Sequence, residues 1–300
     1  GLQGNTSLST FNAQGPVSIA STYDGGIAGL TFSGSANQTY TNAGGVNPRG
    51  IWTVNKPSGT LTAASDLLLE TTQALNITSG TLYLTDSSDL TVGPITVGPA
   101  GRLINDSSTT ITLGGNVANA GNIFLLGPGA ACPQADAVLI RSSVAGTQRN
   151  WSGVGNFAIA DADIRDMAGT APIIAYSSTD SGNNGTNWTF DSGCPPAVFI
   201  SPQVLSIYRN QNQTFTTGGG FGNKTFSIPV NNSGGTINPT TGLYTPGNTI
   251  NVADTVRVTD AFGQFADAQV SVIPGPPTKL AMSVQPPSVV QAGIQMSQIR

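Results

Sequence analysis

Histidine is absent from this 300-residue chain, glutamate occurs once (Glu70) and lysine three times (Lys56, Lys224, Lys279). Without histidine there can be no Ser-His-Asp triad, no Cys-His dyad and no histidine metal site. Only 9% of residues are charged, against about 25% in typical soluble domains. The net charge is −4, and no basic cluster offers an electrostatic footprint for nucleic acid. No apolar run approaches the roughly 20 residues that span a bilayer, so direct membrane insertion of this segment is not expected. No signal peptide opens the chain. Gly1 therefore reads as an internal start, and the sequence as an interior piece of something longer. Glycine-rich nucleotide fingerprints and P-loops are missing as well. Gly218-Gly219-Gly220-Phe221-Gly222 is flanked by strand-like runs, which makes it a loop and not a phosphate cradle.

What remains is rich in turn formers and β-branched residues. There are 38 glycines, and the hydrophobic fraction is 38%, enough to argue against disorder. Strong helix formers are scarce. The composition predicts an all-β chain of many short strands and tight turns. Cys132 and Cys194 are the two cysteines, too few for a structural zinc site. A disulfide between them would agree with export and close a loop worth on the order of 4 kcal/mol; two free thiols are the other reading.

The clearest order lies between residues 59 and 126. Gly59-Thr60-Leu61, Gly80-Thr81-Leu82, Gly101-Arg102-Leu103 and Gly121-Asn122-Ile123 recur at intervals of 21, 21 and 20 residues. Each glycine opens a short alternating run, and further runs lie between them, at Leu90-Thr91-Val92, Ile95-Thr96-Val97 and Thr110 to Leu113. Such a period fits one turn of a parallel β-helix, or β-solenoid, whose inward Leu, Ile and Val stack into a column. Glycine and asparagine are expected at the corners, in positive-φ conformations. An antiparallel sandwich with coincidental glycine spacing is the competing reading. Weaker strand signals precede this region, and less regular ones follow to Phe190, with Trp188 and Phe190 placed to cap the last open turn. After Cys194-Pro195-Pro196 the strands come at shorter, sandwich-like intervals. Val256 to Val272 forms a hairpin turned by Asp260 to Gly263, and Pro274-Gly275-Pro276-Pro277 is a stiff linker. The expected division is residues 1–196 as solenoid, 197–274 as sandwich, and 275–300 as linker plus the first strand of a further truncated module.

The stretch Gly235 to Thr245, with Thr241-Gly242-Leu243-Tyr244-Thr245, and the elements Val258 to Gln264 resemble the bacterial immunoglobulin-like domains strung along cell-surface proteins. Leu280 to Pro287 looks like the first strand of another. The Gly-Thr-Leu rungs upstream resemble, in texture, the solenoid passengers of large bacterial adhesins. The resemblance implies an extracellular location and a spacer or adhesive role. It carries over no catalytic and no ligand residues.

The best remaining constellation for chemistry is Asp161, Asp163 and Asp166. On a strand, Asp161 and Asp163 would share a face about 7 Å apart. That spacing suits a calcium site, since hard cations take clustered carboxylates. It also suits a glycosidase acid pair, or simply a solvated strand edge beside Arg165. Calcium is the only cofactor raised. Lys224 with Asp254 or Asp260 has the residue types for a lysine–asparagine cross-link, though spacing adds nothing to that idea. The N-x-Ser/Thr triplets Asn76-Ile77-Thr78 and Asn187-Trp188-Thr189 arise readily in such a composition. The expected function is a non-enzymatic structural or adhesive segment, with surface glycans or neighbouring copies of itself as partners. The alternatives are a carbohydrate-active β-helix enzyme with an accessory sandwich, and a filament subunit assembled by strand addition.

Overall fold

The computed structural model describes residues 9–85, 88–128 and 136–276. Among these the chain is all-β, with no helix. The strands form sheets of fourteen, six, two, four and three members. In the two largest, every pairing is parallel. The antiparallel reading of residues 59–126 is thereby set aside.

Parallel pairing arises because the chain meets itself one sequence period later. Leu61 lies opposite Leu82, Leu82 opposite Leu103, and Leu103 opposite Ile123. A second file runs Trp52, Leu75, Ile95, Val117 and Trp151. The six-stranded sheet carries a third: Leu67, Leu90, Ile111, Ile140 and Ile164. Each of these side chains is at most 2% exposed, and all belong to one apolar cluster. Strand alternation explains why. Every second residue faces in, and a parallel register keeps like positions above one another about 4.8 Å apart.

The glycines that mark the period work in two ways. Gly59 and Gly80 have φ of 80° and 78°, the left-handed region that glycine enters without strain. Gly101 and Gly121 do not. There a Cβ would collide with backbone instead, with the Ile77 carbonyl at Gly101 and the Gly98 and Gly101 carbonyls at Gly121. The expectation of positive φ at every corner holds for two of the four, and close backbone approach explains the others. At the far end of the fourteen-stranded sheet, Trp188–Asp191 is the last strand. Trp188 meets Trp151 edge-on at 5.3 Å and stacks with Phe190 at 6.5 Å.

Between Asp191 and Phe199 the pairing pattern changes. Val204–Tyr208, Phe265–Ile273, Val252–Thr259 and Thr225–Val230 form a four-stranded sheet in that order. The first pair is parallel and the others antiparallel. Gln213–Thr214, Leu243–Thr245 and Thr236–Ile237 form the three-stranded sheet, and Phe199–Ser201 pairs with Thr216–Gly218. Inward residues of these sheets share a second core around Phe215, Phe226, Tyr244, Val256, Val258 and Val270. The hairpin turn falls where the sequence put it. Asp260 Oδ1 accepts the Phe262 and Gln264 amides at 2.9 Å each, and Gly263 takes φ 95°. Residues 277–300, and with them the expected strand of a further module, lie outside the described residues.

A third, smaller core joins the two regions. Phe124, Leu126, Ala158 and Ala160 point outward from the parallel sheet, yet they are buried beneath Phe221, Ala261 and Phe262. Phe124 meets Phe262 edge-on at 5.1 Å, and Tyr176 meets Phe221 at 5.8 Å. The glycine-rich loop makes this approach possible. Phe221 N–H donates to Asp260 Oδ2 at 2.8 Å, and Asn223 N–H to Asn156 Oδ1 at 3.2 Å. A Cβ on Gly222, whose φ is 63°, would collide with the Asn156 amide and with Ala261.

Candidate ligand groove

Beside this joint, the outward face of the parallel sheet stays open. Thr60, Thr81 and Arg102 stand in register on successive strands, and Thr62, Tyr83 and Ile104 form a parallel file two residues on. The next member of the second file is Phe124, which is covered by Phe262. The files therefore run into a wall made by the hairpin turn of the C-terminal region. Asn37 and Asp106 complete the lining of an open groove of about 570 Å³. That volume falls within the usual range of small-ligand sites.

The groove's polar groups are unevenly satisfied. Tyr83 donates its hydroxyl to Asp106 Oδ1 at 2.7 Å. Arg102 lies over the Phe124 ring at 5.3 Å, and its Nη2 makes one long contact, 3.5 Å, with the Ala261 carbonyl. Its Nε is buried without a hydrogen-bond partner. Four arginines have acids: Arg49 with Glu70, Arg141 with Asp163, Arg165 with Asp166 and Arg257 with Asp267; Arg149 instead donates to the Ser142 and Ser143 hydroxyls. Among the described residues Arg102 forms no such pair.

The aspartates singled out in the sequence do not gather. Among the described residues, no group of three or more His, Cys, Asp or Glu side chains is placed to hold a metal ion. The reason is local. Asp161 and Asp166 take φ of 56° and 63° at the two ends of the strand Ala162–Arg165. Alternation applies only within that strand, so Asp161 and Asp163 do not share a face. Asp161 is fully buried against Gly127. Asp163 faces outward and pairs with Arg141 at 2.6 Å. Asp166 is buried and accepts the Asn183 amide at 2.6 Å and the Gly146 N–H at 3.1 Å. The Asn183 bond, the Gly146 bond and nearby Arg165 hold its carboxyl below the usual range against the opposing effect of burial. These geometries make Asp163 and Asp166 turn and edge braces.

Lys224 donates to the Gly222 carbonyl at 2.8 Å and forms no ion pair among the described residues. Asp254, its suggested partner, is fully buried instead with Ser233 and Tyr244, accepting the Tyr244 hydroxyl at 2.6 Å. Burial and that carboxylate push the Tyr244 hydroxyl pKa up. Cys194 is disulfide-bonded; Cys132, its expected partner, lies outside the described residues.

One functional-looking group escaped the sequence reading. Lys56 is fully buried, its ammonium held by Gly34 O, Ala36 O and Gln38 Oε1 at 3.1, 2.8 and 2.5 Å. Three donors meet three acceptors, and no carboxylate is among them. Burial lowers its pKa. A signal was there: Trp52, Val54 and Lys56 alternate on the inward side of one strand.

No known protein family matches the chain, and no curated protein matches its sequence.

Proposed function

We propose that the chain is a non-enzymatic, extracellular structural or adhesive segment of a large bacterial surface protein. In this reading residues 1–196 form a parallel β-solenoid, 197–274 an immunoglobulin-like sandwich, and 275–300 lead into a further module. The observation that carries it is the unbroken apolar file along the parallel sheets, from Trp52 to Trp151 on one side and from Leu67 to Ile164 on another. A chain that repeats its pairing every 20 or so residues builds length from local contacts, which suits reach and surface presentation. The C-terminal strand order supports the sandwich, since three- and four-stranded sheets contribute inward residues to one core. The buried joint around Phe124 and Phe262 supports a stiff connection between the two parts. Scarce charge and a bonded Cys194 agree with an exported protein. Surface glycans or neighbouring copies are the partners this reading proposes.

The test is to express the full-length gene in a bacterial host and treat intact cells with protease. The reading expects the segment to be cleaved from the outside while cytoplasmic markers survive. Retention inside the cell would sink it.

A further inference from the structure

We infer that the groove between the parallel sheet and the hairpin turn binds an acidic oligosaccharide, with its carboxylate on Arg102 and its sugar rings against Tyr83 and Phe262. The inference rests on the adhesive reading above and names the class of ligand for it.

The floor of the groove is periodic. Thr60, Thr81 and Arg102 repeat at the strand spacing, as do Thr62, Tyr83 and Ile104. Such a floor sets side chains at a fixed interval along one direction, which matches an extended chain better than a compact metabolite. Threonine hydroxyls, the Tyr83 hydroxyl, the Asn37 amide and the Asp106 carboxylate supply donors and acceptors. That is the complement of a polyhydroxylated chain. The Tyr83 and Phe262 rings supply apolar surface for the carbon faces of sugar rings.

Arg102 is the groove's cation, set against the Asp106 carboxylate that the Tyr83 hydroxyl engages. It is a cation in a chain of net charge −4, it lines the groove, and it lacks a carboxylate partner among the described residues. A ligand carboxylate taken end-on by the terminal nitrogens of the guanidinium would supply the carboxylate partner that Arg102 lacks, with bidentate geometry that lysine could not reproduce. The groove also has a direction. It is walled off where Phe124 meets Phe262, and Thr60 lies two strands away from Arg102 along the file, so an extended ligand would lie with its acidic unit near the wall.

The test uses the full chain on an array that carries acidic oligosaccharides (oligogalacturonates, alginate and hyaluronate fragments) beside neutral ones of matched length. Hits are followed by isothermal titration calorimetry. Acidic members should bind in preference to neutral ones, and binding should weaken as salt rises. Arg102→Met should lower affinity at least tenfold, and Arg102→Lys should recover only part of it. Tyr83→Ala should weaken binding through the floor, and thermal unfolding checks that each variant remains folded. Thr112→Ala, on the other parallel sheet, should change nothing. Absence of any acidic hit, equal binding of neutral glycans, or full affinity in folded Arg102→Met each overturns the inference. A chain that reaches the cell surface but binds no acidic glycan sinks the ligand assignment alone. One that binds them but stays inside the cell sinks the surface reading alone.

Discussion

Replacing Leu82 with alanine should destabilise the parallel region by about 3–4 kcal/mol. Leu82 is fully buried, with Leu61 and Leu103 in register on either side. The substitution removes three carbons, roughly 2.4 kcal/mol at about 0.8 kcal/mol for each buried CH₂. A cavity term is added, because backbone ladders on both sides keep the neighbours from collapsing inward; measured Leu→Ala costs in cores run from about 2 to 5 kcal/mol. The adjacent Thr81 faces the groove and is partly exposed, so Thr81→Ala should cost under about 1 kcal/mol. All three tryptophans, Trp52, Trp151 and Trp188, lie in parallel strands. Urea unfolding followed by tryptophan fluorescence therefore reports on that region. At a slope of about 1–3 kcal/mol/M, or somewhat more at this size, the Leu82 variant should unfold at least about 1 M earlier. If the two variants lost equal stability, or Leu82→Ala lost less than 1 kcal/mol, the inward column would be wrongly assigned.

Three further outcomes follow from other parts of the molecule. Lys56→Met should destabilise by about 1–3 kcal/mol, because three buried carbonyl acceptors lose their donor. Burial lowers the Lys56 pKa in the folded state, so the unfolded chain binds more protons just below the ordinary lysine value, and stability contributed at this site rises with pH there. The gap in melting temperature between wild type and Lys56→Met should widen from pH 8 towards pH 10.5. Asp166 behaves in the opposite range. Its folded pKa lies below the ordinary 3.8, mainly through the Asn183 amide, so its contribution is present above that value and lost as pH falls through the lowered one. Acid titration of melting temperature should be shallower below pH 4 in Asp166→Asn than in wild type. Phe262→Ala removes the ring that covers Phe124. Hydrogen exchange at residues 123–126 and 219–223 should speed up while the Leu61–Leu82–Leu103 file stays protected; unchanged exchange would mean the joint is held elsewhere.

Much of the fold is legible in the sequence because a parallel register turns a linear period into a spatial one. Leu61, Leu82 and Leu103 are marked by the glycine two residues before each, and alternation then decides which neighbours face in. The sign of φ is not legible in the same way. Gly59 and Gly101 look alike in sequence, but one answers to a left-handed backbone and the other to a carbonyl passing overhead. Asp161 and Asp163 look like a shared face until Asp161 proves to be a corner, where alternation stops. The groove was out of reach because its wall comes from Phe262, far along the chain from Arg102. A hint was present in Ile123-Phe124-Leu125-Leu126 and Phe157 to Ala160, which lack the alternation of earlier strands. An unbroken apolar run in a half-exposed sheet signals cover on the second face.

The parallel register itself can be measured by cross-linking. Thr91 and Thr112 are paired residues on neighbouring strands of the six-stranded sheet, 21 positions apart in sequence and within the roughly 4.4–6.8 Å Cα separation that a disulfide tolerates. Thr91→Cys with Thr112→Cys should oxidise to a disulfide seen by peptide mass mapping, and Thr91→Cys with Thr110→Cys, two positions out of register, should cross-link far less. Efficient bonding of the second pair and not the first would contradict the pairing on which the whole account rests.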